Sequence, residues 1–442
     1  MKIQLSDHFT YKRLIRFVTS SILMMICTSL YSIVDGFFVS NFVGKTPFAA
    51  VNLIMPVMMG GGAIGFMIGT GGSAVVAITL GTGNRERANQ YFSMLVYTSL
   101  FLGLLLSALG FIFIRPISAA LGASGELLRY CIIYGRILFI GETAFILQNI
   151  FQSFFVTAEK PDLSLRLSIL SGLTNMILDF LFIVVFHWGI AGAAVATAMG
   201  QVVGGIIPLL YFSRKNSSLL QLTKTRFYGK ILLKTCTNGS SELVTNLSSS
   251  IVNILYNYQF MKLVGENGVA AYGIVMYVNF IFMAIFFGYS IGSAPLTSYH
   301  YGAGNHDELK NLFGKSIRIL VVSSLILTLM AEVLTVPLVR IFASYDAELF
   351  DMTCHGFRLY ALAFLFMGIN VWGSSFFTSL GNGAVSAVIS FLRTLVFQLA
   401  VVLILPHFLG IDGIWMSIVV AELLALVITI LFFITRRKQY HY

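Results

Sequence analysis

Six acidic residues stand where an acid is hard to accommodate. Asp35, Glu142, Asp179, Glu242, Glu332 and Glu422 each fall inside a long apolar stretch, and a charge at the centre of a bilayer is opposed by about 2.5–3.5 kcal/mol on insertion scales. An acid retained at such a position points to ion or proton handling. Asp179 closes the run Asn175-Met176-Ile177-Leu178-Asp179, whose i, i+4 spacing sets an amide and a carboxylate one turn apart on a single helix face. The chain turns near His187 and Trp188, so Asp179 lies nine residues before the turn and Thr197 nine residues after it. At about 1.5 Å of rise per residue, both sit roughly 13 Å below that end of their helices. Asp35 likewise precedes Gly44, at the same end of its own stretch, by nine residues. Two carboxylates, an amide oxygen and a hydroxyl at one depth make an oxygen cage for a hard monovalent cation. The same pair serves a proton equally well, because neighbouring carboxyls in a low dielectric titrate as one coupled unit.

Other groups read more plainly. Glu142, Glu332 and Glu422 sit singly on apolar stretches, where structural pairing is expected; Arg136 and Arg393 are the available mid-stretch bases, but no spacing rule matches a base to an acid. Cys27, Cys131, Cys236 and Cys354 are far apart and lack metal-ligand spacing, so they read as core residues. His187, His300, His306 and His407 fall near the ends of stretches, as interfacial residues do. Gly60-Gly61-Gly62-Ala63-Ile64-Gly65 satisfies a dinucleotide fingerprint in form only, since no strand or βαβ unit surrounds it. These glycines, with Pro56 upstream, favour close helix packing and would let their helix bend.

The elements that position these residues must be membrane helices. The 442 residues are 57% hydrophobic and 10% charged, with a mean hydropathy of +0.87, a composition that a polar-surfaced globular chain does not show. A bilayer core needs about 20 apolar residues per helix, and stretches of that length run at 17–43, 48–80, 92–114, 127–156, 167–187 and 190–212, then at 237–263, 269–299, 317–343, 352–380, 385–405 and 411–435. The first has no small-residue cleavage site and is read as a retained helix rather than a signal peptide. With the N-terminus inside, 20 of the 28 basic residues, from Lys2 to Lys438, fall on inner segments; the outer ends keep Lys45, Arg115, Arg129, Lys262, Arg340 and Arg358, so both termini are expected in the cytoplasm. The net charge of +10 is thereby explained by topology and lipid contact rather than by nucleic acid.

A shift of 221 residues superposes the halves without a gap, carrying Gly81, Gly83 and Asn84 onto Gly302, Gly304 and Asn305. It also carries Gly44 onto Gly265, Ala49 and Ala50 onto Ala270 and Ala271, Gly71 onto Gly292, Asn149 onto Asn370, and Gly189 onto Gly410. The expected fold class is therefore an all-α polytopic membrane protein of about twelve transmembrane helices in two six-helix lobes, related by a pseudo-two-fold along the membrane normal. The expected division is an N-terminal lobe at 1–212, a cytoplasmic linker at 213–236 and a C-terminal lobe at 237–442.

With Asp35 in Val34-Asp35-Gly36-Phe37-Phe38-Val39, a glycine-rich second stretch, Gly81-Thr82-Gly83-Asn84 followed by Arg85, and the echo Tyr301-Gly302-Ala303-Gly304-Asn305, nearly the whole chain resembles the bacterial multidrug and toxic compound extrusion (MATE) family. The resemblance implies a V-shaped pair of lobes and alternating access, with export of amphipathic or cationic drugs and metabolites driven by sodium or proton entry. It places a first-lobe coupling site on Asp35, Asn175, Asp179 and Thr197. Glu242 matches a second-lobe cation-site acid of some members, but Asn370 stands where those relatives carry an aspartate, which leaves Glu242 as a possible partner for a cationic substrate. The 39 Phe, 17 Met and 19 Tyr suit a greasy, adaptable cavity. The expectation is thus a monomeric transporter in the cell (inner) membrane, contacting lipids and small molecules, with no cofactor beyond its coupling ion. The alternative is a flippase for a lipid-linked envelope precursor, though such relatives show about fourteen spans and several cavity cations. An enzyme is not expected, as no His-Glu-x-x-His, Gly-x-Ser-x-Gly or phosphate loop occurs; nor does the chain carry a nucleotide-binding domain for an ATP-driven pump.

Overall fold

The computed structural model of the chain describes residues 3–344 and 346–442, apart from the side chains of Ser40 and Lys45. Lys2, counted above among the inner charges, lies outside the described residues. The first half comprises α1 (Tyr11–Phe38), α2 (Lys45–Gly81), α3 (Arg85–Ala120), α4 (Gly125–Thr157), α5 (Pro161–Asp179) and α6 (Gly189–Ser213). The second comprises α7 (Gly229–Leu263), α8 (Glu266–Gly302), α9 (His306–Ala343), the broken pair α10 (Ala347–Ala361) and α11 (Phe364–Ser379), the segmented span α12 (Gly383–Phe391), α13 (Phe397–Ile404) and α14 (Pro406–Leu409), and α15 (Ile411–Tyr440). Ten of these spans are long and apolar enough to cross a membrane, and α10 with α11, bent by 50°, makes an eleventh. The twelfth is α7, 35 residues long, whose many Ser, Thr and Asn side chains lower its hydropathy. Six spans in each half form the two lobes.

Several helices begin earlier than their apolar stretches. α3 starts at Arg85 rather than near 92, and α9 at His306 rather than near 317. Hydropathy reads only the lipid-embedded part, whereas the helix starts at its cap: the Asn84 side chain accepts from Arg87 N and the Asn305 side chain from Glu308 N. The repeated Gly-x-Gly-Asn now has a physical explanation. Its second glycine, Gly83 or Gly304, takes φ of 82° or 67° to turn the chain, a region that costs other residues about 1–2 kcal/mol. Its first glycine allows the ends of α2 and α8 to touch: a Cβ on Gly81 would lie 2.8 Å from Ala303 N, and one on Gly302 would lie 2.8 Å from Ile78 C.

The same two-fold logic governs the rest of the lobe interface. Gly71 of α2 packs on Gly239 of α7, and Gly292 of α8 packs on Val18 of α1. Each lobe's second helix thus lies against the first helix of the other. Deeper along the same helices Gly288 meets Ile22, and Ser29 Oγ reaches Phe280 O at 3.4 Å. The glycine contacts fall on the half of the bundle that holds both termini, the basic face, and the Ser29–Phe280 contact lies just past the middle of both helices. On the basic face the segment before α1 fastens the lobes together: Leu5 N donates to Glu159 Oε1 at 2.7 Å, Phe9 N donates to Glu308 Oε1 at 2.9 Å, and both side chains are fully buried. The hydrophobic cores follow the same division. Leu14, Phe17 and Val18 of α1 join the core of the second lobe around Phe286, Trp372 and Trp415, whereas the first-lobe cluster toward the opposite face, around Ile54, Ile114 and Tyr134, draws only on first-lobe residues. Within the described residues, the close backbone contacts between the lobes lie on the basic half, while the first-lobe core toward the opposite face is self-contained.

The glycine-rich part of α2 makes close contact with α4. α2 is one helix through Pro56, and a Cβ on Gly65 or Gly69 would lie 2.8 or 3.2 Å from carbonyl oxygens of α4. The sharp break falls instead between Ala361 and Phe364.

Candidate functional site

Asp35, Asn175, Asp179 and Thr197 come together inside the first lobe. Thr197 Oγ1 lies 3.4 Å from Asp35 Oδ1 and also bonds Ala193 O of its own helix at 3.0 Å. Asn175 and Asp179 reach the same Asp35 carboxyl, and the two carboxyls act on each other electrostatically. Burial is nearly complete, with Asp35 8% exposed, Asn175 4% and Asp179 0%. The side-chain polar atoms of Asn175 and Asp179 nevertheless have no aligned hydrogen-bond partner. A buried polar group without a partner loses about 1–3 kcal/mol relative to a satisfied one, and an unpaired charge loses more.

Local sequence explains how three helices converge. Gly172 lets α5 close on α1, since a Cβ there would lie 2.7 Å from Tyr31 Cδ1, and Gly200 does the same for α6 against Asn175 Cβ at 3.1 Å. Wide π turns follow each carboxylate-bearing helix, at Val39–Val43 after Asp35 and at Phe180–Val185 directly after Asp179. Such turns re-aim side chains at functional sites. The cluster borders a cavity of about 100 Å³, lined by Tyr31, Asp35, Gln148, Ser171, Asn175 and Thr197 among others. That is room for several waters or a partly hydrated ion. Tyr134, 1% exposed, stands within electrostatic reach of both carboxyls. Sequence reasoning missed Tyr31, Tyr134 and Gln148, because aromatic and amide residues in membrane helices carry no spacing signal of their own.

The second lobe holds a different polar cluster. Arg393 Nε donates to Glu422 Oε1 and Oε2 at 2.8 and 3.0 Å. Asn370 Nδ2 donates to Glu422 Oε2 at 2.7 Å, and Thr429 Oγ1 donates to Asn370 Oδ1 at 3.1 Å. Glu422 thus has the partner that its sequence context did not identify, and Asn370 has both ends of its amide occupied. Arg393 lies in the π turn Leu392–Val396, and Glu242 on α7, half-buried, lies within its electrostatic reach. Glu242 is therefore not part of the first-lobe cluster. Arg136 rests over the Phe111 ring at 5.3 Å, a cation-π contact rather than an acid pair. Glu142 is fully buried on α4, both carboxyl oxygens lack a hydrogen-bond partner among the described residues, and it packs where Gly61 has no side chain. Among the described residues Glu332 enters no ion pair.

Two lobes of six membrane spans, packed on one another at one face and enclosing buried polar clusters, define a polytopic membrane transporter. The sequence model of the MatE family matches residues 20–181 and 243–404, one stretch in each lobe, and the chain belongs to that family. It is 25% identical over 419 residues to the multidrug export protein MepA of Staphylococcus haemolyticus, covering 93% of this chain and 90% of that protein. To MepA of Staphylococcus aureus it is 23% identical over 416 residues, with 93% and 91% covered. Its fold is that of the outward-facing structure of a multidrug resistance MATE transporter (TM-score 0.92, 24% identity, 98% and 97% of the chains covered). It is also that of a MATE transporter in the straight conformation (TM-score 0.92, 23% identity, 98% and 97% covered).

Proposed function

We propose that the chain is a secondary active antiporter that exports amphipathic or cationic small molecules from the cell in exchange for sodium or protons. The observation that carries this reading is the first-lobe cluster: the buried carboxyls of Asp35 and Asp179 act on each other, the polar atoms of Asn175 and Asp179 have no hydrogen-bond partner among the described residues, and Asp35, Asn175 and Thr197 line a cavity of about 100 Å³. Two carboxylates so placed cannot both stay charged without a cation between them. Binding of one proton or one sodium ion removes the repulsion, and Asp35, Asn175, Asp179 and Thr197 supply the oxygens. The names of the relatives, multidrug export proteins, support the direction of transport and the class of cargo.

In this reading the lobes divide at a linker between residues 213 and 236. The basic face is cytoplasmic, with both termini inside the inner membrane, as the excess of Lys and Arg on that side favours. Alternating access then exchanges the packed half: contacts at Gly71, Gly81, Gly292 and Gly302 hold the basic side shut in the present arrangement, and their separation would open it. Filling the carboxylate cluster alters the charge and packing of α1, α5 and α6, and this is how ion occupancy would bias the two arrangements. Glu242, beside the inter-lobe helices, is proposed as a partner for cationic cargo. Purified protein in liposomes, with separately imposed sodium and proton gradients, tests the reading: gradient-driven efflux of a fluorescent organic cation is expected, and its absence under both gradients would overturn it.

A further inference from the structure

We infer that the coupling ion, once bound at the first-lobe carboxylates, leaves for the basic face through the interior of that lobe, along a polar file between α4, α5 and α6, and not through the cleft between the lobes. This deepens the coupling-site reading above and rests on it.

The face that α5 buries is the first observation. Its buried residues are Pro161, Ser164, Ser168, Ser171, Gly172, Asn175 and Asp179, a run at three- and four-residue spacing that includes no large apolar side chain. Ile169, Leu170, Leu173 and Ile177 of the same helix are instead exposed by 39 to 56%. α5 therefore turns its apolar side outward and a ladder of hydroxyls inward, ending at the two side chains with unpartnered polar atoms. The facing helix α4 adds Gln148 and Gln152, one turn apart and each 6% exposed.

Open space follows the ladder. Besides the cavity at Asp35, a second of about 10 Å³ is lined by the polar Gln148, Gln152, Ser164 and Ser168 and by the apolar Phe151, Phe155, Leu167 and Pro208, which is about the space of one water. Gln148 lines both cavities and separates them, with Nε2 3.4 Å from Ser171 Oγ. Gly204 of α6 leaves the space that this amide occupies, since a Cβ there would lie 2.6 Å from Gln148 Cδ. At the basic end, Ser20 Oγ bonds Asp162 Oδ1 at 2.5 Å, and Asp162 is exposed at the start of α5. Hydroxyls and amides both donate and accept, so groups on successive turns, about 5.4 Å apart, can hand on a dehydrated monovalent cation, or a proton through a water held between them in the small cavity. The inter-lobe contact is closed on the basic side in this arrangement at two levels, where backbone meets backbone at Gly71 and Gly239 and again at Gly81 and Gly302.

The test blocks the file without touching the carboxylates. In reconstituted protein, Ser168→Leu should lower efflux of tetraphenylphosphonium at least tenfold under whichever gradient, sodium or proton, drives the wild type. Displacement of bound tetraphenylphosphonium by that ion at equilibrium should stay within twofold of wild type, and Ser168→Thr should export normally. Wild-type efflux by Ser168→Leu overturns the route. Asp179→Asn separates the two claims: loss of ion displacement in that variant alone supports the binding site, so that wild-type efflux by Ser168→Leu then refutes the route and spares the site. Retained displacement in Asp179→Asn overturns both. Should Ser168→Leu fail to fold, Ser168→Cys in a background lacking the four native cysteines gives the same answer. Silver ion added at the basic face should inhibit its efflux, a bulky trimethylammonium thiosulfonate should not, and insensitivity to silver overturns the route.

Discussion

Replacing Arg393 with Met should unfold the protein far more readily than its single charge suggests. The guanidinium is the only cation bonded to Glu422 among the described residues, and the two side chains are 10% and 2% exposed. Removing it leaves a buried carboxylate with Asn370 as its remaining side-chain donor, at 2.7 Å. Breaking a buried pair from one side is destabilising by about 3–5 kcal/mol, of which the retained Asn370 bond, at about 1.5–3 kcal/mol for a charged acceptor, is already present in both proteins and offsets nothing. At about 1.4 kcal/mol per decade the folding equilibrium should fall by about two to three and a half orders of magnitude. The double variant Arg393→Met with Glu422→Leu removes both charges, and apolar replacements of buried pairs are often neutral or stabilising; it should recover most of the loss. Equilibrium unfolding in mixed detergent reads both quantities. If Arg393→Met proves as stable as wild type, or if the double variant is no better than the single, the ion pair is not the organising contact of the second-lobe cluster.

Three further outcomes follow from the packing. Gly62→Ala should destabilise by about 1–3 kcal/mol, since its Cβ would lie 3.0 Å from Phe145 Cζ, a rigid ring that must move; Phe145→Ala should relieve that loss, and the same unfolding assay reports it. Gly302→Val should drive the lobes apart on the basic side, because its side chain would enter the backbone of α2 at Ile78; spin labels on the α2–α3 and α8–α9 turns should then show a longer distance, and an unchanged distance would count against the interface described. Thr197→Ala should weaken sodium-driven transport more than proton-driven transport, since a hydroxyl ligand matters to a coordinated metal ion and not to a carboxyl proton; equal loss under both gradients would remove Thr197 from the cation's ligands.

The first-lobe cluster was legible because depth could be counted. Asp179 and Thr197 flank one short turn at equal distance, and Asp35 lies equally far from Gly44, so three helices placed their polar groups at one level before any packing was known. The 221-residue repeat was similarly informative, and the structure shows why it is gapless at Gly81 and Gly302: these residues touch the partner helix at their own symmetry mates. The second-lobe network was not legible. Arg393 and Glu422 lie at unequal distances from Gly410, and a π turn in the intervening span shifts the helical register in a way no residue pattern announces. The span of α7 was legible at 237–263 from its apolar run, although Ser, Thr and Asn side chains on both its buried and its exposed sides keep its hydropathy below that of the other spans. The break at 361–364 carries no proline or glycine in the sequence Ala361-Leu362-Ala363-Phe364, so its origin lies in packing rather than in local chemistry.

The most direct measurement of the central claim compares wild type with Asp179→Asn in proteoliposomes, following efflux of a fluorescent organic cation while sodium and proton gradients are imposed one at a time. The account predicts that the wild type exports under at least one gradient, and that the variant inserts and folds but loses the gradient-driven component. Gradient-driven efflux by Asp179→Asn at the wild-type rate would contradict it.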